Sequence, residues 1–221
     1  ANYGWRMAFY VLGLPGIVFA IFVFFMIKEP IRGRMDASYK AIKDPTFSEV
    51  ILTLFAKKSF LNMCLGAGFT TFALYSVNNF LPSYLQRAHG VDLVTVSIVL
   101  GLSTAIGGIS GALLGGRIAD GRGTTNKKWY LYVPIIACLS CLIPALILFY
   151  SPYPKLALAM VLPYAFLSSM FNGPIYAVAQ SLANAKMRAF ASAILLLFLN
   201  GIGLAFGPLI AGMLSDYYAL N

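Results

Sequence analysis

Neutral polar side chains recur at one-turn spacing inside long apolar stretches of this sequence. Tyr75 and Asn79 are four residues apart, and Asn172 and Tyr176 repeat that spacing further along the chain. Residues four apart share one face of a helix, where amide and phenol groups donate and accept hydrogen bonds without carrying charge. Such groups among apolar side chains are typical of a cavity that binds an organic solute. We therefore predict these substrate-binding residues: Tyr75, Asn78, Asn79, Asn172, Tyr176, Gln180 and Asn200.

Hydrogen bonding between neighbouring helices is a second interpretation of the same side chains. Amides that lie in a lipid environment seek polar partners, so they face the interior of a helix bundle whether or not a solute binds there. Spacing along the chain is the same in both cases. The sequence therefore leaves a substrate cavity and plain helix contacts as open alternatives.

Carboxylates avoid the apolar stretches. The acidic residues all map to loops or to the ends of these stretches: Glu29, Asp36, Asp44, Glu49, Asp92, Asp120 and Asp216. Buried acids are the usual proton relays of membrane transporters, so this segment offers no evident proton carrier. Paired carboxylates, nucleophile triads, phosphate loops and metal-ligand clusters are also missing from the sequence. It therefore predicts no catalytic residue, no metal site and no cofactor, and it argues against an enzyme.

The histidine and the cysteines have simple interpretations. His89 falls in a connection and is predicted to be a solvated surface group. Cys138 and Cys141 spell a C-x-x-C motif, but no second ligand pair and no flanking βαβ pattern accompany it. We predict that these two thiols and Cys64 are small buried apolar groups rather than a redox or metal pair.

The elements that position these residues are predicted to be membrane-spanning helices. Of 221 residues, 60% are hydrophobic and 10% are charged, whereas soluble domains contain about 25% charged residues. Charge-free stretches cover 7–27, 59–86, 93–116, 129–154, 156–185 and 189–215. A spanning helix needs about 20 apolar residues, and these stretches lack the alternating polarity of barrel strands. We predict an all-α membrane protein with six transmembrane helices.

Basic residues are distributed unevenly among the connections. Thirteen of the 16 lie in 28–58, 117–128 and 184–188, and the other three are Arg6, Arg87 and Lys155. Cytoplasmic loops carry an excess of Lys and Arg, so the three basic connections are predicted to be cytoplasmic. The net charge of +9 is thus explained by membrane topology. It indicates membrane lipid as a partner and does not indicate nucleic acid.

The connection 28–58 contains a predicted amphipathic helix. Thr46 and Glu49 have the spacing of a capping box, and Pro45 precedes them. A single apolar stripe follows, formed by Phe47, Val50, Ile51, Leu54 and Phe55. Such a helix is expected to lie along the inner membrane surface, with a regulatory docking element as the alternative.

Glycines at four-residue intervals predict close helix contacts. Gly107, Gly111 and Gly115 form one ridge, and Gly203 and Gly207 repeat the spacing. Small residues at this spacing let helix backbones approach closely in membranes, either as fixed packing or as a sliding surface. Kinks are expected where prolines fall in or next to spans: Pro82, Pro134, Pro144, Pro163, Pro174 and Pro208.

The stretch 116–123 reads Gly-Arg-Ile-Ala-Asp-Gly-Arg-Gly and is predicted to form an inner loop. It resembles the G-x-x-x-D-R-x-G-R signature of the major facilitator superfamily of secondary transporters. Gly116, Asp120 and Gly123 match the signature, whereas Gly121 and Thr124 replace its two arginines. Two further parts, 4–16 with 28–30 and 187–193 with 200–203 and 207–208, narrow the resemblance to the spinster-like branch, helices six to eleven of a twelve-helix fold.

The resemblance implies that Gly116, Asp120 and Gly123 form a conformational motif. A glycine permits close helix contact, and an aspartate accepts hydrogen bonds from the backbone amides of a neighbouring helix N-terminus. Arg122 lies one position from the missing arginine and is the expected substitute for it.

The resemblance also implies alternating access, in which two six-helix bundles rock about a central site. It implies an organic, amphipathic solute of the lysolipid type, protons as the coupling ion, and the missing N-terminal half of the same protein as the partner of this bundle. The coupling carboxylates would lie mainly in that half. A sugar, organic-anion or drug carrier of the same superfamily and a non-transporting membrane subunit are the alternatives.

The domain organisation follows from this alignment. Residues 1–27 are the transmembrane helix that ends the N-terminal half, 28–58 are a cytoplasmic linker, and 59–221 are the C-terminal transmembrane bundle without its last helix. The chain begins at Ala1 rather than Met, so a piece of a longer protein is expected. The expected location is the bacterial inner membrane.

Overall fold

A computed structural model describes residues 4–27 and 45–220, which are helical and contain no β-strand. The helices are α1 (Gly4–Met26), α2 (Phe47–Phe55), α3 (Lys58–His89), α4 (Leu93–Ser103), α5 (Ile109–Gly123), α6 (Trp129–Tyr150), α7 (Pro154–Ser169), α8 (Asn172–Ser181), α9 (Arg188–Phe198) and α10 (Gly207–Leu220). The chain divides into two compact units, Ala1–Lys43 and Asp44–Asn221. Helix α1 belongs to the first unit, and α2 to α10 belong to the second.

The prediction of six spans in an all-α membrane protein is confirmed. Six segments of the described residues are long and apolar enough to cross a membrane: Phe9–Met26, Lys58–His89, Leu93–Gly123, Trp129–Tyr150, Pro154–Ser181 and Ala185–Tyr218. Many large apolar side chains point away from the protein, among them Leu139 and Ile143 at 62% and 64% exposure. Lipid is the environment that tolerates such a surface.

Three of the spans are interrupted rather than continuous α-helices. Wide π-helical turns at Thr104–Gly108 and Leu199–Phe206 join α4 to α5 and α9 to α10, and a break at 170–171 separates α7 from α8. The two π-helical turns contain glycines and no proline. Pro208 closely follows the second turn and Pro174 closely follows the break at 170–171, whereas no proline lies near the first turn. Pro82, by contrast, lies inside the continuous helix α3.

The ends of α3 and α4 meet at a tight turn. Helix α3 continues to His89, further than the charge pattern predicts, and ends because Gly90 adopts a left-handed conformation with φ 64°. A left-handed residue after the last turn is a common helix terminator, and glycine accepts it without steric cost. Asp92 then caps α4, with its side chain accepting a hydrogen bond from the backbone N–H of Thr95 at 2.9 Å.

Replacing Asp92 with Ala is expected to lower the thermal midpoint of unfolding, Tm, in a pH-dependent way. The side chain and then the backbone N–H of Thr95 hydrogen-bond the Asp92 carboxylate and lower its pKa below the ordinary value of 3.8. A carboxyl whose pKa is lower in the folded state stabilises the fold above the unfolded-state pKa, and this contribution is lost as the pH falls through the folded-state pKa. The Tm difference between wild type and Asp92→Ala should therefore shrink below about pH 4.

Thermal-shift measurements in detergent at neutral and acidic pH check this. Asp92→Asn is the matched control, because Asn caps a helix about as well as Asp but does not titrate. A Tm difference for Asp92→Ala that stays constant with pH would contradict the capping role.

Both predicted glycine ridges lie at close helix crossings. A Cβ on Gly111 would overlap the carbonyl oxygen of Phe166, and a Cβ on Gly115 would overlap that of Met170. On the other side of the second unit, a Cβ on Gly207 would lie 2.7 Å from the carbonyl oxygen of Phe72 on α3. The glycines therefore allow backbone to contact backbone, because no side chain separates the helices.

The predicted helix at 47–55 exists, but its apolar stripe is divided between two environments. The backbone N–H of Thr46 donates to Glu49 Oε2 at 2.9 Å, as the capping box predicts. Val50 and Leu54 are fully buried in a cluster with residues of α3, α8 and α9, whereas Phe47 is 65% exposed. The helix is thus docked on the bundle through the centre of its stripe. It does not present the whole stripe to the membrane surface, because α9 covers part of it.

Candidate substrate-binding face

The predicted residues of α3 occupy the middle of that helix. Tyr75 is half-buried, while Asn78 and Asn79 are exposed. The Asn79 side-chain amide donates to the backbone oxygen of Tyr75 at 2.9 Å. This bond fixes the amide against its own helix and leaves it at the surface of α3, where a solute can reach it.

The predicted residues of α8 begin at the break between α7 and α8. Asn172 is the first residue of α8, and its side-chain amide donates across the break to the backbone oxygen of Ser169 at 3.2 Å. Tyr176 lies one turn further and is half-buried. Tyr176 and Leu74, the residue before Tyr75, both pack against one buried cluster that contains residues of α3 and α8. The predicted residues of α3 and α8 therefore lie beside a shared cluster.

Gln180 and Asn200 differ from each other in what they bind. The Gln180 side-chain amide donates to the Ser192 hydroxyl on α9 at 3.1 Å, so it bonds a neighbouring helix. Asn200 lies in the π-helical turn Leu199–Phe206, is exposed, and donates to the backbone oxygen of Leu196 at 2.9 Å. Helix-to-helix hydrogen bonding therefore describes Gln180.

The amides of Asn79, Asn172 and Asn200 each donate instead to a backbone oxygen three or four residues earlier in the chain. A carboxamide has two N–H donors and two acceptor lone pairs, so one such local bond does not exhaust it. The bond does restrict the side-chain torsions. An amide held in this way loses less conformational entropy when it binds a solute.

An apolar cavity of about 130 Å³ lies between α3, α6 and α7. Its lining comprises Thr70, Ala73, Leu74, Val77, Cys138, Cys141, Leu142, Ala145, Tyr164, Leu167, Ser168 and Phe171. A wider groove between α3, α6 and α8 shares Thr70, Cys138 and Phe171 with it. No sequence pattern indicates this space, because apolar side chains that line a cavity have the same pattern as those that fill a core.

The cysteines are distributed differently from the prediction. Cys64 and Cys141 are buried, as predicted, but Cys138 is exposed in the groove between α3 and α6. The Cys141 thiol contacts the backbone oxygen of Tyr164 at 3.8 Å. Both cysteines line the cavity between α3, α6 and α7, but residues three apart on a helix are rotated by about 60°, so Cys141 faces α7 while Cys138 also faces the wider groove.

The signature residues form a local cluster at the end of α5. Gly116, Asp120 and Gly123 lie within the helix and not in a loop, which corrects the prediction. The Tyr130 hydroxyl donates to Asp120 Oδ1 at 2.9 Å. A Cβ on Gly123 would overlap the ring of Tyr130, whereas a Cβ on Gly116 would meet nothing within 4 Å. Gly123 therefore makes room for the tyrosine that binds Asp120.

Arg122 does not substitute for the missing arginine of the signature. Its guanidinium lies over the ring of Trp129, 4.4 Å from the centroid, in a cation–π contact. Along a helix, Arg122 is rotated by two residues from Asp120, so the two side chains point to different faces. Tyr130, which no motif signalled, takes the position beside the carboxylate.

His89 is not the solvated group that the sequence predicts. It lies in the last turn of α3, its ring packs edge-on with Tyr84 at 5.4 Å between centroids, and its Nε2 is buried without a hydrogen-bond partner among the described residues. The Tyr84 hydroxyl in turn donates to the backbone oxygen of Phe149 at 2.6 Å. The extra length of α3 moved this histidine from a loop into a packed helix end.

Comparison with known proteins identifies similar chains. The family model "Major Facilitator Superfamily" matches residues 1–208. A protein of Mycolicibacterium smegmatis described as an MFS-type efflux pump is 33% identical over 215 residues, which cover 96% of this chain and 48% of that protein. A cis,cis-muconate transport protein of Acinetobacter baylyi is 31% identical over 128 residues, 55% of this chain and 30% of that protein.

Solved structures give a consistent result. A bacterial homolog of the human lysosomal transporter Spinster, inward-facing and unoccupied, superposes with a TM-score of 0.72 at 26% identity, over 96% of this chain and 45% of that one. Its occupied inward-facing form gives 0.69 at 27% identity, over 96% and 43% of the two chains. The chain thus spans about half the length of the proteins that it matches most fully.

Proposed function

The chain belongs to the major facilitator superfamily of membrane transporters and is spinster-like, and we propose that it carries most of the C-terminal bundle of a secondary transporter for an organic, amphipathic solute. On this proposal residues 1–27 end the N-terminal half, 28–58 link the halves in the cytoplasm, and 59–221 form the second bundle. The two halves would rock about a central site and expose it to each side in turn.

The neutral polar residues on α3 and α8 are the observation that carries this proposal. Tyr75 and the exposed Asn79 lie on α3, the exposed Asn172 and Tyr176 lie on α8, and the two helices share one buried cluster. These groups are neutral, amphipathic and partly restrained. Such a face suits a solute with a polar group and an apolar body better than it suits a bare ion.

Proton coupling is the second part of the proposal. Among the described residues, the acidic side chains Glu49, Asp92, Asp120 and Asp216 lie outside the spans or near their ends. A proton carrier of the usual kind is a carboxylate buried at membrane depth. We therefore assign coupling to the N-terminal half of the full-length protein, with the connections 28–58, 117–128 and 184–188 in the cytoplasm of a bacterial cell.

Transport by the full-length protein in proteoliposomes tests the proposal. We expect uptake of a lysophospholipid, stimulated by a pH gradient, and weaker uptake of a sugar or of cis,cis-muconate. Uptake of only sugars, organic anions or drugs would replace the amphipathic solute with the alternative carrier. Absence of flux for every class tested, with the protein folded and inserted, would favour a non-transporting membrane subunit.

A further inference from the structure

Lys57 occupies the corner between α2 and α3. Its backbone is extended, with φ −83° and ψ 98°, between the end of α2 at Phe55 and the start of α3 at Lys58. Its Nζ donates a hydrogen bond to the backbone oxygen of Leu182 at 2.6 Å, across a sequence separation of 125 residues. Leu182 is the C-cap of α8. One side chain therefore joins the base of α3 to the end of α8.

The electrostatics of this contact are favourable. The last carbonyl groups of an α-helix have no intrahelical partner, and together they carry a partial negative charge. The Lys57 ammonium supplies both a donor and a positive charge to the Leu182 carbonyl. The contact is exposed, so it buries no apolar surface. Its effect is to restrain the position of the start of α3 relative to the end of α8.

Helix α2 depends on its neighbours for its position. It has nine residues, and isolated helices shorter than about 12 residues are marginal in water. Val50 and Leu54 are fully buried in a cluster that includes Met187 and Ala191, which lie in the α8–α9 connection and in α9. Helix α2 is therefore attached to the same connection that Lys57 reaches.

The two helices joined by Lys57 also carry the candidate substrate-binding face. Helix α3 packs mainly against the π-helical turn Leu199–Phe206 and makes few contacts with α8. Tyr75 belongs to α3 and Tyr176 to α8. A polar link at one end of these helices constrains how the two halves of the face can separate.

We propose that Lys57 is a positioning residue for the conformational cycle. Its bond to Leu182 makes α2, the base of α3 and the α8–α9 connection move as one body, and so favours fast conversion between the two orientations of the transporter. Lys57 lies about five helical turns from Tyr75, so solute affinity does not depend on it. The transport arm of this inference, that Lys57 speeds the conformational cycle, rests on the proposed function. The structural arm, that Lys57 holds α2 against the α8–α9 connection, does not.

Hydrogen exchange on the full-length protein in detergent tests the structural arm. In Lys57→Met, the backbone amides of residues 48–56 should exchange about fivefold faster than in wild type, because α2 opens more often once the link is lost. The adjacent Lys58→Met is the matched control: Lys58 is exposed and makes no hydrogen bond or ion pair within the described ranges, so its exchange should equal wild type. Lys57→Arg should keep the protection, because the guanidinium also donates to a carbonyl.

Equal exchange in Lys57→Met and Lys58→Met would overturn the inference, as would loss of protection in Lys57→Arg to the level of Lys57→Met. If the methionine variant fails to fold, Lys57→Arg is compared with wild type, and exchange of residues 48–56 about fivefold faster than in wild type would overturn the inference.

Kinetics in proteoliposomes test the transport arm. Lys57→Met should lower the maximal transport rate about fivefold, leave KM near the wild-type value, and be rescued by Lys57→Arg. A change in KM alone would contradict a positioning role. If wild type shows no flux for any solute, the proposed function fails, while the exchange result still decides whether Lys57 holds α2 in place.

Discussion

Gly111→Val should unfold or strongly destabilise the second unit. The first added carbon would overlap the carbonyl oxygen of Phe166, and two further methyl groups would follow it into the crossing of α5 and α7. A backbone carbonyl cannot rotate away as a side chain can, so the helices must separate. We expect a loss of about 3 kcal/mol, at the upper end of the cost of overpacking, and a Tm lower by about 10 °C.

Gly116→Val is the control for this prediction. Gly116 lies in the same helix, but a Cβ there would meet nothing within 4 Å in the described part of the chain. Both variants place the same β-branched residue in α5, so differences in helix propensity cancel. Thermal unfolding of both in detergent measures the packing effect. Equal Tm values would show that the close crossing of α5 and α7 does not exist in solution.

Replacing Asn79 and Asn172 with Leu should nearly abolish transport without unfolding the protein. Both amides are exposed and bond only the backbone of their own chain segment, so leucine removes no contact between distant helices. If each amide contributes one hydrogen bond to the solute of about 1.4 kcal/mol, their joint loss lowers affinity about 100-fold. Solute flux at low concentration should fall by the same factor.

Asn62→Leu provides the matched control. Asn62 is an exposed asparagine on the same helix α3, but it lines the groove between α3, α6 and α8, more than three helical turns before Tyr75. Flux in proteoliposomes, with Tm as the folding check, separates the two positions. If Asn62→Leu impairs transport as strongly as the double variant, the solute does not bind at the face formed by Tyr75, Asn79, Asn172 and Tyr176.

The membrane spans could be read from the sequence because they depend on local composition. A stretch such as 129–150 is apolar around its whole circumference, and no partner is needed to make it a helix in lipid. The capping box at Thr46 is equally local, since both its hydrogen-bonding groups lie within four residues. Periodicity also placed Tyr75 with Asn79, and Asn172 with Tyr176.

The candidate site was predictable only in part. Helical spacing identified which residues share a face of α3 or of α8, but not whether those faces meet. Tyr130 shows the same limit in the signature cluster, because its pairing with Asp120 depends on how α6 begins after the α5–α6 connection. The role of Lys57 was also hidden, since a basic residue in a cytoplasmic linker is adequately explained by topology alone.

By itself, the sequence determined that this protein has six membrane-spanning helices and which glycines could bring helices close, because hydrophobicity and small size are properties of single residues. Only the tertiary structure decided that Gly111 and Gly115 face the backbone of α7 and the residues after it, that α2 docks through Val50 and Leu54, and that α3 and α8 share one buried cluster. The physical reason is that each of these outcomes depends on the rotation of one helix relative to another. That rotation is set by packing over the whole length of both helices.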